Sequence, residues 1–214
     1  MSEEIPGRAV GDAAFAAKAL VVTAASAIPL VGGPIATAIA IWEGEHVGRR
    51  VEQLVQEVDR AAKRVERKLD ASFIASDEFQ NLAVAAVDAA RRAAADDTRR
   101  LVAAILVGSA TIDRPKDLEA DSLLDAVAGL STLEVRILRA IWDRHAGSFD
   151  LADLPPEFEP DLHFHLKHVE SAGLIYEVAG PTVGTDGGRY HGARYNVTGT
   201  FDRLFQLAEI VGGG

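Results

Sequence analysis

The side chains best equipped for chemistry lie in one short run, Asp161-Leu-His-Phe-His-Leu-Lys-His168. On a helix, Asp161, His165 and His168 share a flank, because residues three and four apart are neighbours there. A carboxylate and two imidazoles are ligand types that zinc and similar divalent metals accept. The chain offers little to complete such a site. It has no His-Glu-x-x-His run and no cysteine. Polar groups on a helix edge are therefore the simpler reading, and a metal on Asp161, His165 and His168 is the weaker one. Other chemical signatures are fainter. The run PLVGGP, 29–34, lacks the lysine of a phosphate-binding loop, and GPTVGTDGG, 180–188, follows an extended run but opens no helix. The expectation is a protein without catalytic machinery and without a cofactor.

The same helix has a second face. With Leu162, Leu166 and Val169 turned to the core, the opposite side presents Phe164, Lys167, His168 and Ser171. The loop region that follows adds Arg189 and Arg194. A nucleic-acid reader concentrates Lys and Arg on such a face, because phosphate contacts supply much of the affinity. Here the sign is wrong. Residues 131–211 hold twelve Asp and Glu against seven Lys and Arg, a surplus of five negative charges. An outward Phe164 suits a protein contact better than a base edge.

A third feature is apolar. Ala19–Trp42 contains 24 residues and no charge. A membrane span needs about 20 apolar residues at 1.5 Å rise. Pro29, Gly32, Gly33 and Pro34 interrupt the run, leaving a helical arm of 16 residues, Ala13–Ile28, before Pro29 and one of nine from Pro34 to Trp42. Its small side chains are also weakly membrane-favouring. A helical hairpin buried in a bundle is the expected structure. It is expected to seed the packing of the long helix that follows and of the RLVAAILV helix. Its turn, Ile28, Pro29, Leu30, Val31, Gly32, Gly33 and Pro34, is the segment that would enter a partner or a membrane.

The elements that must position these groups are mostly helical. The 214 residues are 48% hydrophobic, only 6% aromatic, and carry a net charge of -10. Residues 1–12 read as a loose lead-in, acidic rather than basic and so unlike a secretory signal. Residues 13–130 read as a helical bundle. Within it, one long helix is expected from Pro34 onward, amphipathic through Val47, Val51, Leu54, Val58, Val65 and Leu69. Ser76 reads as the N-cap of the next helix. RLVAAILVGSA, 100–110, is apolar enough to be wholly buried. A short helix is expected over Ser122–Leu130. Ser131 and Glu134 form a capping-box pattern that opens a helix ending before Gly147. Gly173 reads as a left-handed helix cap. Two extended runs, LIYEV and YHGARYNV, predict a hairpin with a long loop. Thr200–Val211 predicts a last helix, and the glycines 212–214 a frayed tail.

Two resemblances add to this reading. LKHVESAGLIYEV, 166–178, and RYNVTGTFDRLFQL, 194–207, resemble the recognition helix, strand and closing helix of a winged-helix domain. The resemblance covers about 80 residues from Ser131 and implies an α+β unit over 131–211. IPLVGGP, SDEFQNLAVAAVDAARRA and LSTLEVRILRAIWDR together resemble an uncharacterised family of bacterial helical proteins. That resemblance implies the helical architecture and no activity. The expected protein is thus mostly α, with a bundle and a small winged-helix-like unit. It reads as a non-enzymatic interaction or regulatory protein of the cytoplasm, with a protein partner or self-association. The alternatives are a membrane-active effector that inserts hairpin 13–42, and a winged-helix DNA-binding regulator.

Overall fold

The computed structural model describes residues 19, 22–23, 25–41, 48–115, 118–144, 147–158, 161–179, 182–183, 190–191 and 193–212. The lead-in 1–12, Trp42–Val47, Arg189 and residues 213–214 lie outside them. The chain is mostly helical, with a small three-stranded antiparallel sheet.

Ala19, Val22, Thr23, Ala25 and Ser26 are helical, and α1 spans Gly32–Ile41. The turn between them is tight. Gly32 N–H donates to the Ile28 carbonyl at 3.1 Å, and a Cβ on Gly32 would stand 2.2 Å from the Ala25 carbonyl oxygen. Only glycine allows that approach. Ile28, Val31, Ile35 and Ile39 are buried.

The next helix, α2, spans Arg49–Val65. The single long helix expected from Pro34 does not form, because Gly48 is extended and α2 starts afresh beyond it. The helix also stops short of Leu69, which instead bridges Thr111. Its stripe of Val51, Leu54, Val55, Val58, Ala61, Ala62 and Val65 is buried inside the chain. A short helix, α3, spans Ala71–Ile74. Helix α4 spans Asp77–Arg92, capped by the Ser76 hydroxyl accepting from Phe79 N–H at 3.3 Å.

Helix α5, Asp96–Ser109, is buried from Leu101 through its last residue. It packs against α2 and α4, against α6, Ala120–Ala128, and against α7, Thr132–Asp143. It also meets the last helix, α9, Gly199–Ile210. The centre of the molecule is therefore α5, and the apolar hairpin expected to seed the core packs chiefly on α4. The reason is side-chain size. RLVAAILV carries branched residues all round and can bury every face, whereas the hairpin's alanines and glycines leave one side with little to bury. The α5–α9 contact is close, since a Cβ on Gly108 would stand 3.0 Å from Leu207 Cδ2.

Beyond α7 the chain forms β1, Ser148–Asp150, then α8, Leu162–Ser171, then β2, Ile175–Ala179. Strands β3, Thr182–Val183, and β4, Tyr190–His191, pair with each other, and β5 spans Arg194–Val197. The sheet order is β1-β5-β2. Strand β1 is absent from the sequence reading, because three residues carry no alternation to detect. The buried side chains of the bundle and of this α+β unit form one continuous cluster. Gly212 is not frayed. It takes φ +67°, donates to the Glu209 carbonyl at 2.9 Å and accepts from Arg64 Nη1 at 2.8 Å.

Candidate interaction face on α8 and the sheet

Leu162, Leu166 and Val169 anchor α8 in the core. Its end is a left-handed cap. Gly173 takes φ +76°, and Leu174 N–H donates back to the Val169 carbonyl at 3.3 Å. These two constraints fix which side chains of α8 face inward and which face solvent.

The inward flank meets a residue that the sequence ties only to a helix start. Glu134 is 2% exposed. Its Oε2 accepts from Ser131 N–H at 2.7 Å, completing the capping box of α7. Its Oε1 lies 2.7 Å from His168 Nδ1 and 3.1 Å from His165 Nδ1. An ionised carboxylate only accepts, so both imidazoles hold their proton on Nδ1. Burial pushes the Glu134 carboxyl up, but the bonds from Ser131, His165 and His168 outweigh burial and hold it below its ordinary value. Asp161 takes no part. It is exposed, and its side chain caps nothing. Among the described residues, no three of His, Asp and Glu group to hold a metal ion. The two imidazoles turn the same nitrogen onto one carboxylate, which locks α8 to the start of α7.

The outward face divides into one apolar group and several committed polar ones. Phe164 is 71% exposed, its ring edge against His165 with centroids 5.6 Å apart. Lys167 Nζ lies 2.7 Å from Glu170 and also bonds Glu177 on β2. Glu170, then Glu177, push the Lys167 ammonium well above its usual range. Glu170 in turn accepts Glu177 N–H at 2.8 Å, covering part of the open β2 edge. The Ser171 hydroxyl donates to the His168 carbonyl. Arg194 forks onto Asp150 at 3.1 and 3.4 Å across the β1–β5 pair, which raises its own pKa. On the solvent side of the sheet, Asn196 donates to the Tyr176 hydroxyl at 2.9 Å. Tyr176 and Val178 are about half exposed, and the ladder is irregular between Glu177 and Ala179.

Of the residues placed on this face by sequence, Phe164, Lys167 and Arg194 are solvent-facing, while His168 and Ser171 serve α8 itself. The sequence signal missed Glu134 and Glu177 as partners of α8. They stand 31 to 34 and 10 residues from their partners, beyond any helical spacing. Glu170, three residues from Lys167, was legible as a helix pair.

The hairpin turn exposes Pro29, Leu30 and Gly33 and buries Ile28, Val31 and Gly32, with Pro34 between. A groove of about 680 Å3 runs between α2, α5, α7 and α9. Among the described residues lining it there is no His, Ser, Thr, Tyr or Lys. Its arginines are engaged: Arg60 and Arg100 with Glu57, Arg64 with the Val211 and Gly212 carbonyls just past α9, Arg136 over the Phe158 ring and Arg139 over the Phe205 ring. Compared with known proteins, the chain matches no family model, no curated protein and no solved structure.

Proposed function

We propose that the chain is a non-enzymatic interaction or regulatory protein of the cytoplasm. A helical bundle, 13–130, carries a winged-helix-like unit, 131–211, that meets another protein through α8 and the adjoining sheet. The order α7-β1-α8-β2-β3-β4-β5 and the strand order β1-β5-β2 support the winged-helix reading. One observation carries the contact role. Among the described residues of α8, β2 and β5, both cations, Lys167 and Arg194, are held by carboxylates, while Phe164 stands 71% exposed.

A DNA duplex would have to break those pairs and lie against a region with five surplus negative charges. A protein partner needs only to cover an aromatic anchor ringed by satisfied polar groups. Self-association through α2 would rest on its charged face, since its apolar stripe is buried within the chain. Anisotropy of a labelled random duplex at low salt tests the choice. No binding is expected, and binding that weakens steeply with salt overturns it in favour of a DNA-binding regulator. A photo-crosslinking residue at position 164, in the native host, is expected to trap one discrete partner. Crosslinks no stronger than from exposed Ile112 would count against the face.

A further inference from the structure

We infer that the tip of the apolar hairpin, centred on Leu30, dips into the surface layer of a lipid bilayer while the fold stays intact. This is independent of the α8 face and lies on another part of the molecule.

The first observation is conformational. Leu30 takes φ +62°, a left-handed backbone that leucine rarely adopts, and its side chain is 51% exposed. A residue there would ordinarily be Gly or Asn, which accept that backbone readily and tolerate water. Here the strained position holds an aliphatic side chain and points it outward.

The second is hydrogen bonding. Thr23, Ser26 and Thr37 are exposed, yet each hydroxyl donates to its own helix, to the carbonyls of Ala19, Val22 and Gly33 at 2.9 to 3.0 Å. In the turn, Ile28 N–H bonds Ala25, Val31 N–H bonds Pro29, and Gly32 N–H bonds Ile28. Pro29 has no N–H to satisfy. The exposed tip, Ala27, Pro29, Leu30 and Gly33, is therefore apolar in its side chains, while the Leu30 and Gly33 N–H groups have no acceptor among the described residues. The third observation is charge, which is absent from Ala19 to Trp42.

These features select lipid over protein. A protein partner is ordinarily met with about one hydrogen bond per 100–200 Å2, and the side chains of this tip offer none. A bilayer penalises each charge and each polar side chain, and this tip carries neither, while its open Leu30 and Gly33 N–H groups confine it to the hydrated headgroup layer. The insertion is shallow. No helix among the described residues is long and apolar enough to cross a membrane, and amphipathic surface elements enter only about 5–10 Å. Ile28, Val31, Ile35 and Ile39 remain in the protein core throughout.

Flotation of the full chain with phosphatidylcholine vesicles at millimolar lipid tests this. A zwitterionic surface is used because the chain carries a net charge of -10. The wild type is expected to float. Leu30→Asn places a polar residue that suits the left-handed backbone, so thermal stability is expected to hold or rise while partitioning falls about tenfold. Gly33→Glu places a charge where a Cβ meets nothing within 4 Å and an acid suits the start of α1. It is expected to fold and to lose flotation. Phe164→Asp is expected to float like the wild type. A wild type that stays in solution overturns the inference, as do folded Leu30→Asn and Gly33→Glu proteins that float unchanged. Loss of flotation in Phe164→Asp alone would place the lipid contact on α8 instead.

Discussion

Glu134→Ala removes the one acceptor shared by the start of α7 and two imidazoles of α8. The capping-box bond to Ser131 N–H contributes about 1 kcal/mol, as helix caps do. His165 is largely buried, with 18% of its side chain exposed, so its Nδ1–H loses its acceptor where water enters poorly. An unmet buried donor costs about 1–2 kcal/mol. His168 is 43% exposed and regains water. The expected total is roughly 2–3 kcal/mol, or a melting point lower by roughly 5–10 °C for a chain of this size. Glu134→Gln keeps the shape and one acceptor, so about half of that loss is expected. The pH dependence separates charge from shape. The folded carboxyl lies below its ordinary value of 4.5, so it stabilises the protein above that pH. That contribution disappears as pH falls through the lowered folded value. Denaturant titrations of wild type and Glu134→Gln should therefore converge on acidification through this range. A Glu134→Ala protein melting within about 1 °C of wild type refutes the lock. A gap between wild type and Glu134→Gln that is constant from neutral to acid pH refutes its electrostatic part.

Three other outcomes follow from close contacts. Gly32→Ala would put a Cβ 2.2 Å from the Ala25 carbonyl oxygen, so the turn must open. Faster hydrogen exchange at Val31 and Gly32 and a loss of more than about 2 kcal/mol are expected. Gly108→Ala gains about 1 kcal/mol of helix propensity but presses on Leu207 at 3.0 Å, where overpacking costs about 1–3 kcal/mol. Net destabilisation in urea is expected, and a stabilised protein would show that α9 can yield. Trp142 stacks on Phe205 at 5.0 Å and tilts on Phe201 at 6.0 Å, joining α7 to α9. Phe205→Ala should cost about 3–5 kcal/mol and shift the Trp142 emission to the red, read against a Trp42→Phe background.

Helix starts were legible from short windows. Ser76 and Ser131 cap the helices they were expected to cap, and Gly173 takes the left-handed conformation expected of it. The complete burial of the α5 core was likewise readable. Two errors share a cause. The helix expected to run on from Pro34 breaks at Gly48, and the three-residue strand β1 left no pattern. In each, one or a few residues decided the outcome, and periodicity averages over more.

The sequence alone determined where most helices lie, where they are capped and which stripes are apolar. Those choices depend on groups within a turn or two along the chain. Only the tertiary structure decided that α5 rather than the hairpin is central, and that one face of the hairpin is left outside with Leu30 at its tip. It also decided what the chemically suggestive side chains do. His165 and His168, read chiefly as polar groups on a helix edge and only weakly as metal ligands, spend their Nδ1 protons on Glu134, and Lys167, read as a contact residue, is held by Glu170 and Glu177. Such partnerships join residues up to 34 positions apart. They are set by how whole elements pack to bury area, which no local pattern records.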